Sequence, residues 1–159
     1  MGPTLPPLPV PNWIVLATLL ALAVWQDLAH RRIPNRLLWR CACAGLVLAM
    51  LPRGIGLASA LAAALMAGAA FAPLYLLRQM GGGDLKLMTT TGLLMGMPRI
   101  PALCLSVAIA GGLLALWWLW HARRHAPAGR TQRMPYAVAV AAGSATHGLL
   151  APALLPVTL

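Results

Sequence analysis

Asp27 and Asp84 are the only two acidic side chains in a chain of 159 residues, where an average soluble composition would supply roughly twenty. Asp27 lies in Trp25-Gln26-Asp27-Leu28, just ahead of the basic link His30-Arg31-Arg32-Ile33-Pro34-Asn35. Asp84 follows three consecutive glycines in Met80-Gly81-Gly82-Gly83-Asp84-Leu85-Lys86, which interrupt a long apolar stretch. A charge within a membrane segment costs at least about 2.5 kcal/mol on insertion scales, so it usually has a function. Taken singly, Asp84 reads as a helix N-cap after a glycine turn, and Asp27 as an ion-pair partner for Arg31 or Arg32. Taken together they suit a reaction. Two carboxylates held within a few ångströms cannot both ionise easily, so one keeps a proton at neutral pH. The ionised member can take a proton from water while the protonated member polarises a carbonyl. That is the chemistry of an aspartic protease. Gly81, Gly82 and Gly83 would let an extended substrate backbone come close. A phosphate cradle is the competing reading of these glycines, but the Gly-Lys-Ser/Thr continuation of a P-loop is missing.

The other reactive side chains offer less. Ser59, Ser106 and Ser144 lie in apolar runs with no G-x-S-x-G elbow around them. His30, His121, His125 and His147 show no metal-ligand spacing, so solvated or packed imidazoles are expected. Cys41 and Cys43 form C-x-C, and Cys104 stands far from both. Residues two apart on a helix do not face one another, and buried free thiols are the expectation for all three. No metal and no cofactor is called for.

The elements that must position the two acids are membrane helices. The chain is 60% hydrophobic and 9% charged, with a mean hydropathy of +0.79, which belongs to a polytopic membrane protein. An all-α fold in one domain over residues 1–159 is expected. It has about six spans, near 13–28, 36–51, 55–77, 85–97, 100–120 and 136–155. Proline in the first link suits the opening turn of the second helix. The third span is rich in Ala and Gly, which lets neighbouring helices approach closely. The fourth, Leu85 to Met97, is short: at 1.5 Å per residue it covers only about 20 Å, against about 30 Å of hydrocarbon. Trp117-Trp118-Leu119-Trp120 ends the fifth as an interfacial aromatic cluster, and His121 to Arg133 reads as a polar, basic loop. The segment Met1 to Pro11 carries no Lys or Arg and so lacks the basic region of a secretory signal peptide.

The net charge of +10 could suggest nucleic acid. Its placement argues otherwise, because the basic residues fall in short gaps between apolar runs. If the spans alternate, Arg31, Arg32, Arg36, Arg40, Arg78, Lys86 and the arginines of the last loop fall on one side, with only Arg53 and Arg99 on the other. The richer side is expected in the cytoplasm, with both termini outside. Asp27 and Asp84 then share the cytoplasmic end.

These residues resemble a known family. Asp27 followed after five residues by Ile33-Pro34-Asn35, then Gly81-x-Gly83-Asp84-x-Lys86, then Met134-Pro135-Tyr136, is similar to the prepilin peptidases. The likeness is strongest to the short, peptidase-only form associated with Flp (tight-adherence) pili. G-x-G-D by itself is shared with presenilin-type intramembrane proteases; joined to D-x5-I-P-N and six spans it is specific. The resemblance implies a G-x-G-D aspartic endopeptidase of the bacterial inner membrane whose catalytic aspartates are Asp27 and Asp84. It implies substrates as well: prepilins or pseudopilins with a short basic leader, cut at the cytoplasmic membrane face just after a glycine. Gly81, Gly82, Gly83 and Lys86 are the candidate substrate-binding residues, and Lys86 is expected to support the site rather than to carry protons. Longer members of the family carry paired C-x-x-C motifs and also methylate the new amino terminus; this sequence has no C-x-x-C, so methylation is not expected. The partners implied are the prepilin and the lipid bilayer, without nucleic acid. Two readings from other classes use the same acids differently: a membrane scaffold in which they only pair with arginines, and a small proton-coupled transporter in which they form a relay.

Overall fold

The computed structural model describes residues 8–30, 34–78, 80–125 and 138–145, and the described residues are helical without strands. The helices are α1 (Val10–His30), α2 (Asn35–Met50), α3 (Leu57–Leu76), α4 (Gly82–Met95) and α5 (Ile100–His125), with a 3₁₀ turn, Met97–Arg99, between the last two. Residues 138–145 are also helical, within the segment expected to hold the sixth span; the rest of that segment, Met134-Pro135-Tyr136 and His147 included, lies outside the described residues. Among the described residues, three stretches are long and apolar enough to cross a membrane: Val10–His30, Leu57–Leu76 and Met97–Trp117. The other two helices, of 16 and 14 residues, fall short of the roughly 20 that a bilayer asks for.

The short helix α4 is the centre of the bundle. It packs against α1, α2 and α3, and Leu87, Met88, Thr91, Leu94 and Met95 on it are fully buried. Small residues make this possible. A Cβ on Gly92 would stand 2.7 Å from the Ala63 carbonyl oxygen and 2.8 Å from the Ala67 Cβ, so α3 and α4 meet almost backbone to backbone. Gly45 of α2 likewise faces Leu93 and Leu94. The Asn12 amide, fully buried, donates to the Leu94 carbonyl at 3.0 Å and joins the start of α1 to the end of α4. The two helices therefore run antiparallel, and the end of α1 that carries Asp27 lies beside the start of α4 that carries Asp84. Outward-facing positions are apolar: Leu65 is 74% exposed and Trp39 70%, as a lipid-facing surface requires and a water-facing one would not tolerate.

Several expectations are corrected. The fourth helix opens at Gly82 rather than Leu85. The fifth continues through His121, Arg123 and Arg124 to His125, so this part of the expected loop is helix. Cys43 is exposed, Cys41 buried and Cys104 half-buried, because the lipid-facing side of α2 takes the second thiol of the C-x-C pair. Two of the serines have structural work. Ser59 accepts from the Met97 amide at 3.0 Å and caps the 3₁₀ turn, and Ser106 donates to the Gly143 carbonyl at 3.0 Å, which ties 138–145 to α5.

Candidate active site

Asp84 owes its position to the way α4 begins. Gly81 is the N-cap, with extended backbone (φ −74°, ψ 149°). Gly82 and Gly83 form the first helical positions and Asp84 the third, so Asp84 is not itself the N-cap. Its carboxylate instead reaches back to accept a hydrogen bond from the Gly81 backbone. This is the reciprocal half of a capping box, in which the third side chain of a helix satisfies the N-cap amide. It fixes the rotamer of Asp84 and sets a carboxylate at the positive end of a helix.

The glycines are explained by space rather than by unusual dihedrals; none of the three has positive φ. A Cβ on Gly81 would crowd the Asp84 carboxylate at 3.0 Å, and one on Gly82 would touch the Tyr75 ring at 3.4 Å. Gly81 and Gly82 are exposed, which leaves bare backbone beside Asp84. Arg78, just before them, has φ 57°, the left-handed conformation that ends α3. Its amide bonds to the Tyr75 carbonyl and the Met80 amide to the Leu74 carbonyl, and Met80 is buried beneath the glycines.

Asp27 sits in the last turn of α1, half-buried. Its charge acts directly on Asp84, which precedes the apolar part of α4 and belongs to none of the three candidate spans. Burial and then the charge of Asp27 push the Asp84 carboxyl up to about 6, against the opposing pull of the Gly81 hydrogen bond. A carboxyl so shifted holds its proton far more readily than an ordinary surface acid. The two acids, far apart in sequence, thus form one electrostatic unit with bare glycine backbone beside it.

Of the remaining candidates, Lys86 is exposed at the start of α4 and its Nζ donates to Asn35 Oδ1 at 3.0 Å. That contact joins the Ile33-Pro34-Asn35 and Gly81-to-Lys86 motifs in space. Sequence reasoning quoted Asn35 within a motif without giving it a role; two polar residues in apolar surroundings, each at a helix start, were the available signal. Ile33 and the arginines Arg31 and Arg32 lie outside the described residues. Tyr75, packed on Gly82, gave no signal at all, because nothing in its local sequence marks it.

A model of the type IV leader peptidase family matches residues 14–116, a stretch that runs from α1 into α5 and contains both aspartates. No curated protein and no solved structure matches the chain. The match covers more than half of the sequence and agrees with an all-α, apolar bundle. The chain belongs to the type IV leader peptidase family, as a membrane peptidase acting on prepilin-type leaders.

Proposed function

We propose that this protein is an aspartic endopeptidase in which Asp27 and Asp84 share one proton, and that it removes the short basic leader of Flp-type prepilins at the cytoplasmic face of the bacterial inner membrane. The observation that carries the reading is the electrostatic contact between the only two acids of the chain, at the end of the bundle where glycine backbone is exposed. With the prepilin strand laid along Gly81 to Gly83, water stands between the carboxylates. The ionised one removes its proton as oxygen attacks the scissile carbonyl, and the protonated one donates to the carbonyl oxygen. The proton taken from water then passes to the leaving amine as the C–N bond breaks. The other carboxylate takes back a hydroxyl proton of the intermediate as the carbonyl re-forms, and the dyad is again singly protonated. Cleavage of a prepilin by washed membranes containing this protein tests the function; absence of cleavage with wild-type protein correctly inserted would leave the scaffold reading in its place.

The basic residues supply the orientation. Reporter fusions after Ala126 and at the carboxyl terminus are expected to report cytoplasm and periplasm respectively. The reverse pattern would put the dyad on the wrong side for a cytoplasmic leader. Methyl transfer is not part of the proposal, because the sequence contains no C-x-x-C pair. In cells where this protein is the sole candidate enzyme, mass spectrometry of the processed pilin should show an unmodified amino terminus. One added methyl group, lost on deletion of the gene, would overturn this.

A further inference from the structure

We infer that Asn35 and Lys86 form a clamp that positions Asp84 against Asp27, with Asn35 a positioning residue for the reaction; the inference rests on the dyad reading above. The starting point is that the first turn of α4 is rich in glycine and has, as its own side-chain support, the return bond from Asp84 to the Gly81 backbone. Gly82 and Gly83 are its opening residues, and glycine is among the weakest helix formers. The N-cap, Gly81, has no side chain with which to cap. Asp84 must nevertheless stay at a fixed distance from a carboxylate on another helix, and misplacement by about 1 Å can cost a hundredfold in rate.

Lys86 supplies what the glycines lack. Two residues beyond Asp84, it points to a different side of α4, and its ammonium reaches the first residue of α2. Asn35 is unusual in its own helix. Asparagine is among the best N-caps, yet the N-cap of α2 is Pro34, which makes no side-chain capping bond. The Asn35 side chain is turned to Lys86 instead. A good capping residue placed one position too late, with its oxygen committed to a neighbouring helix, is a local rule broken in favour of a tertiary contact. The contact also has the right place in the chain. Asn35 begins the helix that follows Asp27 after a short link, and Lys86 lies within a turn of Asp84. Asp84 is thereby tied to the segment trailing Asp27 from the α2 side, while the charge of Asp27 acts on it from α1. The bond is polar and exposed, so in water it would be worth little; its consequence is geometric.

The test compares Asn35→Ala, Lys86→Met, their double variant and Lys86→Arg with wild-type enzyme and with Asp27→Asn and Asp84→Asn, all in one lipid preparation. Asn35→Ala and Lys86→Met should each lower kcat by about ten- to a hundredfold with KM within about twofold. The double variant should be no worse than the poorer single, since both remove one contact. Lys86→Arg, which keeps a donor, should recover most of the rate, as should the exchange of Asn35→Lys with Lys86→Asn. The two limbs of the pH profile should move closer together as the carboxylates part. Normal kcat in Asn35→Ala, multiplying losses in the double variant, or a lowered Tm with an unchanged pH profile would each overturn the clamp. If the aspartate variants are dead while Asn35→Ala is normal, the clamp alone falls; if the aspartate variants cleave at the wild-type rate, the dyad falls and the clamp with it.

Discussion

Asp27→Asn and Asp84→Asn are each expected to lower prepilin cleavage by at least about a thousandfold, within the range that general acid–base groups contribute, and the double substitution should lower it little further. Both substitutions keep the shape of the side chain and remove its titration, so insertion and folding should survive. Losses within a catalytic unit are far from additive, and that distinguishes a dyad from two acids with separate duties. Rates measured in washed membranes against a prepilin decide the matter. Either single variant near wild-type rate would remove the dyad, and losses that multiply would assign the acids to different steps.

The same pair sets the pH dependence. The Asp84 carboxyl lies near 6, raised from an ordinary value of 3.8 by burial and then by Asp27. A raised pKa means that the folded protein holds a proton that the unfolded chain would release. Stability from this group is therefore present at low pH and is lost as pH rises from about 4 through about 6. Activity has a different requirement, one proton between two carboxyls, so its profile should be bell-shaped. It should fall at low pH when both are protonated and at high pH when both are ionised, with apparent constants that belong to the pair.

A large structural effect is expected at Gly92. Gly92→Val should leave little correctly folded protein, and Gly92→Ala should cost about 1–3 kcal/mol, the range for overpacking a close-fitting core. The reason is what the new Cβ meets: a backbone carbonyl and the Cβ of Ala67, neither of which can swing away. Gly45→Ala makes the control. Its Cβ would lie 2.6 Å from the Leu93 Cδ2 and 2.8 Å from that of Leu94, but these are the far ends of flexible side chains that can adjust. Thermal unfolding in detergent should therefore show a clearly larger drop in Tm for Gly92→Ala than for Gly45→Ala. Equal drops would mean that the approach of α3 to α4 is looser than its backbone contact implies.

Much of this protein was determined by sequence alone. Two acids in a long apolar chain, each beside its own motif, marked the candidate site, because a bilayer removes almost every charge that function does not need. Apolar run lengths likewise marked helices α1, α3 and α5, because backbone groups in lipid must be satisfied within a helix or a closed barrel. Helix ends were legible only approximately. The start of α4 was placed three residues late, because glycines read locally as a turn while the return bond from Asp84 to Gly81 draws them into the helix. The end of α5 was placed too early, because charged residues read locally as loop although the backbone continues as helix to His125. What only tertiary structure decided is how the pieces meet. Local sequence could not show that α4 is central, since that depends on Gly92 and Gly45 accepting other helices at backbone distance. Nor could it show that Asn35 turns away from its own helix to hold Lys86, or that Tyr75 lies on Gly82. Contacts between residues distant in sequence leave no local periodicity to read, and they exist only once the helices have packed.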